Sequence, residues 1–217
     1  MLSVMPRLVL ASASPARRTT LTRAGLSPTV VVSSVDEDAV VARYGVTDAE
    51  DVALVLARAK AEDVASADDG QDALVLGCDS VLEIDGQVHG KPIDAAQAIA
   101  RWQKMRGRSG VLHTGHWIVD SRDPGDADDP GSGATVGAVA STTVHFAQLS
   151  DAEIEAYVAT GEPLLVAGAF TIDGLGGGFV RGIEGDHHNV VGVSLPLLRD
   201  LLGEMGVPWI SLWDIPL

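Results

Sequence analysis

Two serines, a proline and two arginines stand close together in residues 10–19, which run Leu-Ala-Ser-Ala-Ser-Pro-Ala-Arg-Arg-Thr. The apolar residues before them predict the end of a short buried strand. Ser14 is a good N-cap residue, and Pro15 suits the first helical position, where its missing N–H is not needed. The turn therefore ends in exposed backbone N–H groups at the positive end of a helix, with Arg17 and Arg18 in its first turn. These residue types predict an anion site, and phosphate is a frequent ligand of such sites.

Carboxylates and cations recur in further short clusters along the chain. The first cluster is Ser12, Ser14, Arg17 and Arg18, and the others are Asp36-Glu37, Asp79-Ser80, Lys91-Pro92 and Lys60. Carboxylates at strand ends beside cations are what a metal-dependent phosphoryl or nucleotidyl transfer site needs, because oxygen ligands suit Mg²⁺ or Mn²⁺. Cations neutralise charge on phosphate oxygens, and a carboxylate can deprotonate an attacking water. Each residue alone also fits a turn, a cap or a solvated surface, and spacing does not show that the clusters meet.

Helical and strand patterns mix along the chain, and hairpins interrupt their alternation, which predicts an α/β fold with a mixed sheet. Helical patterns cover residues 48–65, 94–106, 150–160 and 195–205, the third opened by a capping box. Strand patterns cover residues 8–10, 29–34, 72–77, 81–84, 87–89, 109–120, 135–149 and 179–183. Residues 121–133 are rich in Asp, Pro and Gly, which predicts an exposed loop between two antiparallel strands.

Composition limits the classes of function. The chain has 217 residues, 46% of them hydrophobic, which suits one compact domain with an ample core. A net charge of −15 argues against a general binder of nucleic acid or anionic membranes. No apolar run is long enough to cross a bilayer, and residues 1–10 lack the pattern of a signal peptide. The single cysteine, Cys78, excludes an internal disulfide and fits a reducing cytoplasm.

Other motifs carry less chemistry. The glycine-rich residues 174–178 follow no clear strand and open no helix, so they do not form a dinucleotide-binding fingerprint. The adjacent His187 and His188 cannot share one face of a helix or strand, and His113 and His116 fall on opposite faces of a predicted strand. Cys78 lies in a buried run and is interpreted as a small core residue.

Together the clusters resemble the Maf family of nucleoside triphosphate pyrophosphatases over nearly the whole chain. The segments that carry the resemblance are Ser12-Ala-Ser-Pro-Ala-Arg17, Val35-Asp-Glu37, Leu56-Ala-Arg-Ala-Lys60-Ala61, Gly77-Cys-Asp79-Ser80-Val81, Gly90-Lys91-Pro92, Ala167 to Gly176, Ile183-Glu-Gly185 and Asn189-Val-Val-Gly192. Several motifs in the right order are far more specific than any one of them. The resemblance implies a fold similar to the inosine-triphosphate pyrophosphatases, with two lobes around an elongated mixed sheet, formed by residues 1–217 as one domain.

The resemblance also implies a reaction and a set of roles. The reaction converts a nucleoside triphosphate and water to the monophosphate and pyrophosphate, a cytoplasmic housecleaning activity. Asp79 would be the catalytic proton acceptor, and Glu37 with Asp79 would hold a divalent cation, Mg²⁺ or Mn²⁺. The triphosphate would be bound by Arg17, Lys60 and Lys91, with Ser12 and Ser14 shaping the turn and donating to phosphate. Family members are often homodimers, which adds a second copy of the chain as an expected partner.

Three positions depart from the pattern of the members that act on dTTP and UTP. Those members carry Arg, Thr and Gln where this chain has Ala16, Ser80 and Asp173. Ala16 removes a cation, and Asp173 replaces an amide with an acceptor-only carboxylate. The base preference therefore stays open. Two other functions also stay open: a nucleotide-binding regulator of septum formation without significant turnover, and a metal-dependent phosphohydrolase that acts on sugar phosphates.

Overall fold

The computed structural model describes residues 5–126 and 130–215. The strands are β1 (Leu8–Ala11), β2 (Thr29–Val30), β3 (Leu74–Ile84), β4 (Gln87–His89), β5 (Ser109–Asp120), β6 (Thr135–Phe146) and β7 (Val180–Glu184). The helices are α1 (Pro15–Arg23), α2 (Glu37–Tyr44), α3 (Ala49–Ala65), α4 (Ala95–Met105), α5 (Asp151–Ala159), α6 (His187–Val191) and α7 (Leu195–Glu204). Short 3-10 turns at Glu162–Leu165, Ala167–Ala169 and Leu175–Phe179 connect α5 to β7.

The strands form one seven-stranded sheet, ordered β2-β1-β3-β5-β6-β7, with β4 paired to β3 outside this path. The β1 strand runs parallel to β2 and β3, and the other pairs are antiparallel. This arrangement confirms the predicted α/β class and the mixed sheet. Within residues 5–126 and 130–215, no helix has the length and apolar character needed to cross a bilayer.

Two glycines allow α3 to lie directly on the sheet. A Cβ atom at Gly77 would stand 2.1 Å from the carbonyl oxygen of Ala57, and one at Gly115 would stand 2.2 Å from that of Ala53. Any side chain at these positions would push the helix away, because no real Cβ packs at such a distance from a backbone oxygen. The close approach brings Lys60, one helical turn beyond Ala57, over β3.

One edge of β3 is open in its middle. The opposite edge pairs with β5 from Leu74 to Glu83. On the open side, β1 pairs with residues 74–77 and β4 pairs with residues 82–84. In the described part of the chain, no strand covers residues 78–81 on this side. The gap is a consequence of β1 ending at Ala11, and it exposes the segment that carries Asp79 and Ser80.

The hydrophobic core is divided along the long strands. Leu74 and Leu76 of β3 belong to a cluster under α1 and α7, whereas Leu82 and Ile84 belong to a second cluster under α4 and α5. The second cluster is built around Trp102, whose ring meets aromatic rings edge to face. The open edge of β3 lies between these two packed ends, as expected for two lobes around a cleft.

Local structure differs from the sequence-based expectation in several places, among them the unpredicted short helix α6 and the end of β6 at Phe146, three residues before its predicted end. Residues 29–34 form a strand only at Thr29–Val30, and that strand is exposed. Residues 78–80, expected between two strands, are part of the continuous β3, because β5 pairs with the whole segment. The acidic residues 36–38 open the unpredicted helix α2, whose N-cap is Asp36 and whose end is the left-handed Gly45.

The loop expected at residues 121–133 joins β5 and β6, which are antiparallel as predicted. It is anchored at its base by Asp120, which accepts hydrogen bonds from Arg122 and Ser132. Residues 127–129 of the expected loop lie outside the described residues.

Candidate active site

The turn between β1 and α1 folds as a serine-capped helix start. Ser14 is the N-cap and its hydroxyl accepts a hydrogen bond from the backbone N–H of Arg17, at 3.4 Å. Pro15 occupies the first helical position. The hydroxyl of Ser12 accepts from the Ser14 N–H at 3.2 Å and from the Arg17 side chain at 2.9 Å. The two serines therefore tie the turn to the guanidinium that follows it.

Arg17 is buried and joins three parts of the chain. Its Nε donates to the carbonyl of Gly192 at 2.7 Å, and its Nη1 donates to the Ser12 hydroxyl and the Cys78 carbonyl, each at 2.9 Å. Its Nη2 donates to the Ser80 hydroxyl at 2.9 Å. These bonds use four of the five N–H donors of a guanidinium, so one N–H of Nη2 is left. Arg18, by contrast, is exposed on the outer face of α1.

Lys60 links the two acidic clusters. Its Nζ lies 2.6 Å from Glu37 Oε1 and also forms an ion pair and hydrogen bond with Asp79 Oδ1. The side chains of Lys60 and Asp79 are nearly buried, at 12% and 11% exposed, while that of Glu37 is 50% exposed. The three groups come from α3, β3 and the first residue of α2. A single ammonium group thus lies between two carboxylates at the open edge of β3.

The two carboxyl groups differ in their acidity. Burial is the largest influence on Asp79 and raises its pKa, against the opposing charges of Lys60 and Arg17. Burial also acts to raise the pKa of Glu37, but the hydrogen bond to Lys60 and the charges of Lys60, Lys91 and Arg17 outweigh it and lower that pKa. Glu37 is therefore the more firmly ionised partner, and Asp79 is the better proton acceptor.

A chain of hydroxyl groups leads from Arg17 into the sheet. The Ser80 hydroxyl, which accepts from Arg17, lies 2.9 Å from the Thr114 hydroxyl, and the latter donates to the carbonyl of Asn189 at 3.1 Å. Ser80 must then donate to Thr114, since the proton of the Thr114 hydroxyl is used on Asn189. The fully buried Asn189 donates in turn to Leu112 and Thr142. Ser80 is thus engaged on the inner side of the site.

Thr114 belongs to none of the sequence motifs, and Asn189 lies in the last of them, Asn189-Val-Val-Gly192. Both are completely buried polar residues, at 0% exposed. A polar side chain at an inward position of a strand signals a buried hydrogen-bond partner. That signal identifies Thr114 only after its register opposite Ser80 is known.

The other predicted site residues lie further out. Lys91 is exposed at the end of the β4 segment, and its charge acts on Glu37 across the open edge. Ala16 is half-buried in the first turn of α1. Asp173 is exposed, in the segment before the turn Leu175–Phe179, and is not joined to the cluster by a hydrogen bond among the described residues.

Comparison with known proteins accounts for this arrangement. A family model described as Maf-like protein matches residues 7–205, which include all of the residues above. The chain belongs to the Maf family. The match extends from β1 to the end of α7, so it covers every element that carries a site residue in this Maf-family chain.

Relatives with curated names cover nearly the whole chain. A protein named nucleoside triphosphate pyrophosphatase from Salinispora tropica is 59% identical over 212 residues, 96% of this chain and 88% of the relative. A protein of the same name from Streptomyces coelicolor is 56% identical over 207 residues, 95% of this chain and 94% of its own length. Another from Leifsonia xyli is 50% identical over 214 residues, 96% of this chain and 97% of its own length.

The donor set of this Maf-family site fits a cation that binds together with phosphate. In residues 5–126 and 130–215, no group of three or more His, Cys, Asp or Glu side chains could hold a metal ion by itself. Glu37 and Asp79 nevertheless direct one oxygen each towards the same ammonium. Mg²⁺ is commonly held by one or two carboxylates, with waters and substrate phosphates completing its shell. Two carboxylates are enough for such an ion.

Two further candidates, His116 and Cys78, are completely buried. His116 is completely buried, with Nδ1 against the Thr114 carbonyl and Nε2 accepting from the backbone N–H of Ser194. Burial lowers the pKa of His116 to about 4, so it is neutral. Burial likewise raises the pKa of the Cys78 thiol to about 12. The exposed His187 and His188 lie in the first turn of α6, which Asp186 caps.

Proposed function

We propose that this protein hydrolyses nucleoside triphosphates to the monophosphate and pyrophosphate. Three observations support the proposal: membership of the Maf family, the names of relatives that are 50–59% identical, and the cluster of cations and carboxylates at the open edge of β3. The observation that carries most weight is Asp79, a buried carboxylate of raised pKa that faces the opening beside Lys60.

In the proposed mechanism, Asp79 is the proton acceptor. A water molecule attacks the α-phosphorus of the substrate and gives its proton to a carboxylate oxygen of Asp79. The bond between the α-phosphorus and the oxygen that bridges it to the β-phosphorus breaks, and pyrophosphate leaves with the bonding electron pair. A raised pKa suits this role, because a carboxylate of higher pKa binds the transferred proton more tightly than an ordinary aspartate does.

The cations have a separate task. Lys60, Lys91 and Arg17 bind the triphosphate and neutralise the charge that its oxygens already carry, with Ser12 and Ser14 at the turn. Arg17 contributes one N–H and its charge, and it also fixes Ser12 and Ser80. Glu37, whose pKa is lowered, would act with Asp79 as a ligand of Mg²⁺ or Mn²⁺. When bound, that ion neutralises phosphate charge and orients the substrate.

The substrate within this class is set by three positions. We propose that Ala16, Ser80 and Asp173 contribute to base preference, as their counterparts do in the family. Ala16 offers no cation, the Ser80 hydroxyl is engaged with Arg17 and Thr114, and the exposed Asp173 offers only acceptors. A nucleobase edge that presents only N–H donors should form more favourable hydrogen bonds with the Asp173 carboxylate than with the Gln side chain that dTTP- and UTP-acting members carry there.

The remaining expectations belong to the same proposal. A net charge of −15 favours a small-molecule substrate over nucleic acid, and a homodimer in the cytoplasm fits the resemblance. The names of the relatives support turnover over a purely regulatory role in septum formation.

The test is a panel of standard and modified nucleoside triphosphates, incubated with the purified protein and either Mg²⁺ or Mn²⁺. The proposal predicts pyrophosphate and a nucleoside monophosphate as the products. Release of orthophosphate would favour a phosphohydrolase of sugar phosphates or similar esters. Nucleotide binding without any product across the panel would favour a regulator.

A further inference from the structure

A second buried arginine, Arg101 in α4, lies behind the segment that carries Lys91. Only 8% of the surface of Arg101 is exposed to solvent. Its Nη1 donates to the carbonyl of Gly90 at 2.6 Å, and its Nη2 donates to Gln97 Oε1 at 3.4 Å. Among residues 5–126 and 130–215 it forms no ion pair with a carboxylate. Burial lowers the pKa of Arg101, which reflects the cost of removing this charge from water without a counter-ion.

The carbonyl of Gly90 is an anchor for two neighbouring segments. It accepts a hydrogen bond from Arg101 and another from the backbone N–H of Gly168, at 3.1 Å. The residue after Arg101, Trp102, donates from its Nε1 to the carbonyl of Ala169 at 2.8 Å. Ala169 has a φ of 62°, a conformation that residues other than glycine rarely adopt. The last turns of α4 thus hold the Gly90 segment and the strained turn Ala167–Ala169 together.

Gln97 extends this support to the far side of Lys91. Its Oε1, which accepts from Arg101, also accepts from the backbone N–H of Ile93 at 2.9 Å. Arg101 therefore supports both ends of the segment 90–93, directly at Gly90 and through Gln97 at Ile93. Glycine has wide conformational freedom, so this support narrows the positions that the Lys91 backbone can take.

Lys91 itself makes no side-chain hydrogen bond within the described part of the chain. It is exposed, and its charge contributes to the lowered pKa of Glu37, a member of the carboxylate pair around Lys60. A flexible lysine of this kind acts as a point charge, and its backbone determines where the charge can be offered. Burying an arginine costs desolvation free energy. A neutral donor would satisfy the Gly90 carbonyl if the position of the backbone at residues 90–93 did not matter.

We propose that Arg101 is a positioning residue for Lys91, fixing the wall of the cleft from which Lys91 reaches the triphosphate. This inference rests on the proposed function, since it takes the triphosphate as the ligand of Lys91. It adds a residue that lies in the second lobe and does not touch the substrate. Because the attraction between two charges falls with their distance, a shift of the Lys91 backbone weakens the interaction of its ammonium group with the triphosphate.

The test is a double-mutant cycle on the full-length protein with Arg101→Met, Lys91→Met and the double variant. We expect Arg101→Met to raise KM for the nucleoside triphosphate about tenfold with kcat changed less than about threefold. In the Lys91→Met background the same substitution should have almost no further effect, because the charge it positions is already absent. Binding of inorganic tripolyphosphate, measured by calorimetry, should show the same pattern.

Arg106→Met is the matched control. Arg106 lies one residue past α4, pairs with the exposed Asp151 and donates to the carbonyl of Leu149, as Arg101 donates to that of Gly90. Its loss should leave KM and tripolyphosphate binding unchanged. If Arg101→Met does not fold, Arg101→Lys keeps the test, because it retains the charge but offers a single donating nitrogen in place of the two that reach Gly90 and Gln97. We expect a smaller rise in KM that also vanishes without Lys91.

Equal effects of Arg101→Met with and without Lys91 would overturn the inference, as would a KM change no larger than that of Arg106→Met. The proposed function fails separately: a wild-type protein that releases no pyrophosphate across the nucleotide panel would refute it. Normal pyrophosphate release with an additive cycle would refute the role of Arg101 alone.

Discussion

Asp79 and Asp120 are buried aspartates on neighbouring long strands, yet their surroundings differ. Asp120 accepts hydrogen bonds from Arg122 Nε at 2.8 Å, Arg122 Nη2 at 2.9 Å, and the N–H and hydroxyl of Ser132 at 2.8 and 2.7 Å. Burial acts to raise its pKa, but these bonds outweigh burial and lower the pKa to about 2. Asp79 has Lys60 as its described hydrogen-bond partner, and burial raises its pKa.

The difference shows how the fold separates a structural carboxylate from a reactive one. Around Asp120, the chain turns back on itself and supplies donors to both carboxylate oxygens, so the group anchors the loop after β5. At Asp79, which lies where β1 has ended and β4 has not begun, the described donor to the carboxylate is the single ammonium group of Lys60. A carboxylate with incomplete hydrogen bonding in a buried place keeps the capacity to accept a proton.

The largest expected effect is on catalysis at Asp79. Asp79→Asn should lower kcat for pyrophosphate release by about three orders of magnitude, because the amide cannot accept the proton of the attacking water. Steady-state kinetics with quantified pyrophosphate measure this effect, and circular dichroism should show an unchanged fold. Pyrophosphate release at the wild-type rate would remove Asp79 from its proposed role.

The same substitution at the other aspartate should have the opposite profile. Asp120→Asn should lower the free energy of unfolding by about 3 kcal/mol, because it removes the charge that Arg122 pairs with in a buried place. Urea unfolding measures the loss, and kcat of the folded variant should stay within about twofold of wild type. Equal stability of Asp120→Asn and wild type would show that the Asp120 network is not an anchor.

The contribution of Asp120 to the free energy of unfolding of the wild-type protein should be lost at low pH. The pKa of this group is depressed from an ordinary 3.8 to about 2 in the folded state, so its contribution to stability is full above about pH 4 and is lost as the pH falls towards 2. The shift corresponds to about 2 kcal/mol. The difference in unfolding free energy between wild type and Asp120→Asn should therefore shrink below about pH 4, and a difference that grows with acid would contradict this account.

A smaller effect is expected at Glu37, the exposed member of the candidate metal pair. Glu37→Gln should raise the Mg²⁺ or Mn²⁺ concentration needed for half-maximal activity by at least about tenfold, because a neutral amide is a weaker ligand for a hard cation. Metal titrations of activity test this prediction, with Glu50→Gln as a control, a residue exposed on the neighbouring helix. An unchanged metal concentration for half-maximal activity would show that Glu37 is not a metal ligand.

Local signals predicted much of the framework. The cap at Ser14, the proline after it and the capping box at Ser150 lie where the sequence placed them, because each depends on neighbours within four residues. Strand β5 was predicted with its correct bounds from its apolar pattern. Helix α2 was missed because its acidic first residues resemble solvated surface, although Asp36 and Gly45 are ordinary end signals.

The contacts of the site depend on distant parts of the chain and could not be predicted from spacing. Arg17 meets Gly192 across 175 residues, and Thr114 meets Asn189 across 75. Such pairs require the register of β3 against β5 and the closeness of α3 to the sheet. The resemblance named Arg17 and Ser80 as site residues, but only the structure shows them bonded to each other.

The measurement that tests the central claim most directly is hydrolysis of a nucleoside triphosphate by the wild-type protein in water enriched in heavy oxygen. Mass spectrometry of the products then shows which phosphorus atom the water attacked. Attack at the α-phosphorus, activated by Asp79, predicts the label in the nucleoside monophosphate and none in the pyrophosphate. Label in pyrophosphate or in orthophosphate would contradict the account, because it would place the attack at another phosphorus.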